Sequence, residues 1–242
     1  PGMGSLYGVL IGCFEILAVL VIVGCAAFLV RRNILKVRRF RNREMTRWPR
    51  SDANYILIME IILMLLFLTM NTADQALQLR GAQGYPPTGV FWVTGMIVPA
   101  FSRLPVSTLE ALERGCWWLH ITGVLFFLNY LPYSKHFHII LAFPNTWYRN
   151  LDAPGKMTNM ADIQHEVAVM FDPAAGTPAE APPEKFGAKD VEDLTWKNLM
   201  DAYSCTECGR CTAACPASQT GKLLSPRKIM MDTRDRAEEV GR

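Results

Sequence analysis

The chain contains no phosphate-binding loop, no calcium-loop motif and no hydrolase motif, so hydrolysis and phosphoryl transfer have no support in it. No internal repeat is visible either. Of its seven cysteines, Cys13, Cys25 and Cys116 lie in apolar stretches and read as small core hydrophobes. Nothing therefore suggests a disulfide framework, and the usage fits a reducing compartment. Acidic residues are scarce in the first 150 positions, 7 against 14 Lys and Arg, whereas residues 151–242 carry 15 against 11. The formal net charge of +3 hides a basic first half and an acidic tail.

The other four cysteines form one compact run, Cys205-x2-Cys208-x2-Cys211-x3-Cys215-Pro216. This is the spacing by which bacterial ferredoxin domains hold cubane iron–sulfur clusters, and it predicts a [4Fe-4S] site with these four thiolates as metal ligands. The same residues would also make a structural zinc site, but zinc sites usually draw on two separated Cys-x2-Cys pairs. The expected chemistry is electron transfer.

Half of the 242 residues are hydrophobic, and they gather before about position 145. Leu6–Val30 is apolar apart from Glu15 and exceeds the roughly 20 residues that a crossing needs. No small-residue cleavage site follows it, so it reads as an anchor rather than a signal peptide. Because the chain opens on Pro1, a segment is expected upstream. Nine basic residues lie between Arg31 and Arg50, opposed only by Glu44. A basic block touching a span reads as the positive-inside signal rather than a nucleic-acid patch, which places residues 31–52 in the cytoplasm. Ala53–Met70 is the second expected span and Leu112–Leu131 the next. Val90–Phe101, bracketed by Pro86-Pro87 and Pro99, is short for a crossing. Three crossings from an outside N-terminus deliver a cytoplasmic tail, so 80–110 is expected as an outer-face re-entrant or interfacial segment.

The fold class expected is an all-α membrane domain of about three transmembrane helices plus that outer-face segment, then a linker and a ferredoxin-like α-helical [4Fe-4S] domain. The corresponding boundaries are 1–149, 150–190 and 191–242. The linker is rich in proline (Pro154, Pro173, Pro178, Pro182, Pro183), and a short helix is expected over Asp193–Tyr203.

Polar residues inside the spans are functional candidates because they are costly in lipid. Glu15 and Glu60 would serve proton uptake for quinone chemistry, or would pair with Arg103, Lys135 or a backbone donor and serve packing. His120 and His138 are 18 positions apart, about 27 Å along one helix, so they would serve two different haems or none. Residues 53–72 hold no histidine, only Met59, Met64 and Met70 as soft ligands. His136 and His138 are also candidates for quinone binding.

Trp117-Trp118-Leu-His120, Asn129-Tyr-Leu-Pro132-Tyr-Ser-Lys135-His-Phe-His138, and the cysteine run followed by Thr220-Gly-Lys-Leu-Leu-Ser-Pro-Arg-Lys resemble a known group. These are membrane-bound iron–sulfur oxidoreductases of the heterodisulfide-reductase-like type, including electron-transfer-flavoprotein:menaquinone oxidoreductases. The last span is also similar to the haem-bearing helix of nitrate-reductase gamma subunits, which implies haem b ligation by His120 and His138. The resemblance implies a bacterial inner-membrane protein that passes electrons from a cytoplasmic donor, reduced electron-transfer flavoprotein, to menaquinone. Glu60 or the histidines would then relay protons. It further implies a second cluster motif and a cysteine-rich CCG region, carried C-terminally or on a separate chain, with Cys215 serving the second cluster. Two other readings stay open: an oxidoreductase for heterodisulfides or hydroxy acids, and a non-catalytic anchor or relay subunit of a respiratory complex.

Overall fold

The computed structural model describes residues 4–153, 155–156, 161–172 and 187–242. The linker prolines Pro154, Pro173, Pro178, Pro182 and Pro183 lie outside the described residues. All regular structure among the described residues is helical. The chain divides into two compact units, one of Pro1–His136 with Cys208–Ala213, the other of Phe137–Glu207 with Ala214–Arg242.

The first unit is built on α1 (Gly4–Leu29), α2 (Trp48–Leu79), α3 (Thr94–Phe101) and α4 (Val106–Tyr130). α1 carries no proline and runs on through a π turn, Val30–Ile34. With that turn, Leu6–Ile34 is one of two helices long and apolar enough to cross a membrane, and Trp48–Leu79 is the other. Pro49 sits in the first turn of α2, where the missing N–H costs nothing. α2 is longer at both ends than the expected Ala53–Met70, because the polar residues that hydropathy takes for span ends find partners. Asp52, buried, accepts from the Tyr130 hydroxyl and, at 3.0 Å, from the Lys135 amide. At the far end the Thr72 hydroxyl donates to Leu68 O at 2.7 Å and Gln75 Nε2 to Gly89 O at 3.1 Å.

Between α1 and α2 the basic stretch folds around Phe40. The Arg32 and Arg39 guanidinium groups lie 4.8 and 5.1 Å from its ring centroid, and Met45 is buried. The expected outer-face segment contains the two-turn helix α3, which packs on α2. Thr88 N donates to Gln78 Oε1 at 2.9 Å, and Arg80 donates to the Ser102 carbonyl, so both flanks of α3 are tied to the end of α2. The core here is Ala73, Ala76, Leu77, Val98 and Leu109.

α4 starts six residues before the expected Leu112, with Pro105 as its N-cap. Its early Glu110, Glu113 and Arg114 are helical all the same. Pro132 and the turns Leu131–Tyr133 and Lys135–Phe137 end it.

The second unit begins with α5 (His138–Trp147) and includes α6 (Ala161–Phe171), a helix inside the stretch expected as linker. The expected helix over Asp193–Tyr203 is a 3-10 turn at Val191–Asp193 followed by α7 (Trp196–Tyr203). The break comes at Leu194, which is extended; Thr195 then caps α7, its hydroxyl accepting from Asn198 N at 3.2 Å. α7 packs on α5, with the Tyr148 and Trp196 rings 5.0 Å apart edge-on and Lys197 Nζ donating to Asn145 at 2.6 Å. Further along the chain come α8 (Arg210–Ala214), all but its last residue in the first unit, and in the second unit α9 (Pro216–Gln219) and α10 (Pro226–Val240), which Ser225 caps. α10 packs on α7, burying Ala202 and Met231. Arg236 on α10 clamps Asp190, Nη2 to Oδ2 at 2.7 Å. Its hydrogen bonds and charge hold the Asp190 carboxyl at about 2.

Candidate iron–sulfur and membrane sites

The cysteine run follows α7 directly. Cys205 N closes the helix end by donating to Ala202 O at 3.2 Å. Glu207 and Gly209 then take left-handed backbone conformations, φ 54° and 73°, which curl the loop between Cys205 and Cys211. Glycine adopts this readily; for Glu207 it is strained and needs support from its surroundings. Pro216 opens α9 and starts a new direction after Cys215.

All four cysteines are free of disulfides; Cys205, Cys208 and Cys215 are half-buried and Cys211 is exposed. Glu207 N lies 3.4 Å from Cys205 Sγ, an amide aimed at a thiol, which is the kind of donor that stabilises a thiolate ligand. No three His, Cys, Asp or Glu side chains among the described residues converge on a single metal ion. A cubane takes one thiolate per iron, so its ligands stand apart around the cluster rather than meeting at one point. Four free thiols in one run, one of them facing an amide, fit a cubane in donor chemistry.

The support that Glu207 needs comes from α10. Glu207 is 3 % exposed, and Arg234 Nη2 donates to its Oε1 at 2.9 Å. Burial opposes the Arg234 charge, but Glu207 and then Asp235 outweigh it and hold the guanidinium above its ordinary value. Arg227, fully buried, directs Nη1 at the Glu207 carbonyl, 3.4 Å away. The sequence reading missed these three residues. Twenty and 27 positions separate the arginines from Glu207, and no local pattern announces such pairs.

The histidines are placed differently from expectation. His120 sits in the middle of α4, beside the middle of α2. Its Nδ1 is 2.9 Å from the Leu63 carbonyl. A carbonyl only accepts, so Nδ1 carries a proton, and in the neutral ring Nε2 then keeps its lone pair. His138 does not share that helix, since Pro132 ends α4 and His138 opens α5 in the other unit. The 27 Å single-helix separation therefore does not apply. His136, half-buried, has its ring 5.3 Å from that of Phe127, and its amide donates to Ser134 Oγ at 3.2 Å.

The two carboxylates separate sharply. Glu15 is fully buried and accepts from Val93 N at 2.8 Å, Thr94 N at 3.2 Å, Asn71 Nδ2 at 3.2 Å and the Thr94 hydroxyl. It caps the N-terminus of α3 from another helix, so its backbone donors make it a packing residue. Glu60 is half-buried and makes no hydrogen bond among the described residues.

One apolar cavity of about 240 Å³ lies in the first unit between α2 and α4, lined by Trp48, Tyr55, Met59, Phe126, Phe127 and Tyr130 among others. It is at the end of the helices that carries the basic loop.

These features accord with the comparisons. Residues 196–217 match the family model of a 4Fe-4S binding domain. Over 125 residues the chain is 37 % identical to a probable iron–sulfur-binding oxidoreductase, FadF, of Bacillus subtilis, covering 52 % of this chain and 16 % of that protein. Over 132 residues it is 30 % identical to the EtfAB:quinone oxidoreductase of Syntrophomonas wolfei, covering 54 % and 16 %. A probable membrane-anchored ferredoxin of Chromohalobacter salexigens is 41 % identical over 54 residues, 22 % of this chain and 8 % of that one. The matched part is thus less than a fifth of each relative's length. No solved structure matches the chain.

The class that fold and site define is a helical, membrane-associated iron–sulfur protein. More particularly, the chain is similar to membrane iron–sulfur oxidoreductases, as its motifs led one to expect.

Proposed function

We propose that the protein is a membrane-anchored electron-transfer module that passes electrons from a reduced cytoplasmic flavoprotein to menaquinone. Cys205, Cys208, Cys211 and Cys215 would hold the [4Fe-4S] cluster, which supplies a one-electron relay when bound. The relative named EtfAB:quinone oxidoreductase supports the donor class and a quinone as acceptor.

The observation that carries the reading is the aromatic cavity between α2 and α4. A quinone ring entering from the bilayer needs apolar, flat walls, and Trp48, Tyr55, Phe126, Phe127 and Tyr130 supply them. His136 lies just beyond Phe127, and Lys135 follows the Asp52-anchored turn. In the reaction the quinone takes two electrons from the reduced flavoprotein and two protons, delivered through His136 and Glu60, to give the quinol. His120, with Nδ1 committed to Leu63, presents Nε2 as a haem ligand, and His138 is the candidate ligand of a second haem. Three crossings of the bacterial inner membrane, α1, α2 and α4, would leave residues 150–190 as a cytoplasmic linker and 191–242 as a cytoplasmic iron–sulfur domain.

Turnover of the purified chain with reduced electron-transfer flavoprotein and a menaquinone analogue tests this. Met59→Trp, which fills the cavity, is expected to raise KM for the quinone about tenfold with kcat little changed. Unchanged KM would remove the cavity from the reading. A second reading, a non-catalytic relay subunit, is favoured by the likeness to a membrane-anchored ferredoxin. It predicts no turnover by the chain alone, and restored turnover when a partner chain is added.

A further inference from the structure

We infer that the arginines packed behind the cysteine loop, Arg227 and Arg234, set the reduction potential of the cluster by placing buried positive charge against the stretch between Cys205 and Cys208. The inference deepens the iron–sulfur reading above and rests on it.

Glu207 belongs to the loop itself, two residues after Cys205 and one before Cys208. Arg227 and Arg234 are seven positions apart on α10, two turns along one face, and both reach Glu207. Arg227 binds its carbonyl and Arg234 its carboxylate. Arg234 also meets Asp235 at 3.3 Å, but that carboxylate is exposed and screened by water, so among the buried groups the two guanidinium groups face the single carboxylate of Glu207. Glu207 and Arg227 are at most 3 % exposed, so water and salt screen these charges weakly.

Taking up one electron makes the cluster more negative while no bond forms or breaks. A fixed positive charge alongside favours the added electron and raises the potential; the Glu207 carboxylate opposes it. Burying a guanidinium is costly, and an apolar side chain of similar volume would brace the loop as well. The arginines therefore add an electrostatic function to a packing one. Through it the cluster accepts electrons readily from a mildly reducing donor such as a reduced flavin.

Charge and bracing make opposite predictions, which a redox titration of the full chain in detergent separates. The reduced cluster is followed by its paramagnetic resonance, and iron and sulfide content confirm loading. Arg234→Gln is expected to lower the potential. Glu207→Gln removes the opposing charge and is expected to raise it. Each change should alter the oxidised-to-reduced ratio about tenfold at fixed ambient potential, about 59 mV for a one-electron couple. Arg234→Lys keeps the charge and should stay near the parent value, and with Glu207→Gln it carries the test if Arg234→Gln fails to load. Shifts of one sign in both charge-removing variants, or none in either, overturn the inference in favour of bracing. A parent protein that binds no cluster would overturn the iron–sulfur reading itself and the tuning role with it.

Discussion

Glu15 and Glu60 look alike in the sequence, each a lone carboxylate in an apolar run, yet their surroundings differ. Four donors surround Glu15, two of them the first amides of α3. The buried carboxylate thereby satisfies groups that would otherwise be orphaned at a helix start inside the membrane unit. Glu60 has no such partners among the described residues. Glu15→Ala leaves those amides unpaired, and the expected loss is on the order of 3 kcal/mol. Thermal unfolding in detergent, with protease cleavage between residues 80 and 105 as a local probe, measures it. A variant as stable and as protected as the parent would mean that Glu15 does not hold α3.

The elements owe their limits to different causes. α4 ends where a proline chain-stop is written, at Pro132, whereas α2 extends past its apolar stretch because Asp52, Thr72 and Gln75 are hydrogen-bonded. The approach of α3's leading turn to α1 depends on Gly12: a Cβ there would come within 2.6 Å of the Trp92 indole. Trp92 stands just before Val93 and Thr94, whose amides Glu15 holds one helical turn away from Gly12. A larger side chain should therefore push Trp92 out and loosen the cap. Gly12→Leu is expected to cost about 1–3 kcal/mol. Trp92 fluorescence should move to the red as the indole leaves its packing. A parental spectrum and melting temperature would show that the gap can accommodate the side chain.

At the scale of the whole molecule the asymmetry of charge and the run of apolar helices support the proposed orientation, which labelling tests. The basic loop and Gln83 lie at opposite ends of α2, whose 32 residues span about 48 Å. The proposed three-crossing arrangement would put the loop inside and Gln83 outside. Both Arg41 and Gln83 are exposed. With a membrane-impermeant thiol reagent, Gln83→Cys should label in intact cells and Arg41→Cys only after permeabilisation, each compared with the parent. Labelling in the reverse order would turn the protein over. Labelling of both in intact cells would remove the α2 crossing.

What the sequence determined by itself was local or additive. The cluster motif is complete within twelve residues, because an iron–sulfur loop takes its ligands from one short turn of chain. The helical class and the first two helices long and apolar enough to cross a membrane followed from apolar composition summed along the chain, which needs no knowledge of partners. Only the tertiary structure decided which of two similar glutamates is a cap and which nitrogen of His120 is committed. It alone gave Glu207 two arginines from another helix. Those pairs join residues 79, 57 and 27 positions apart. Hydrogen bonds over such distances are chosen by packing, and a single sequence carries no periodicity that encodes them.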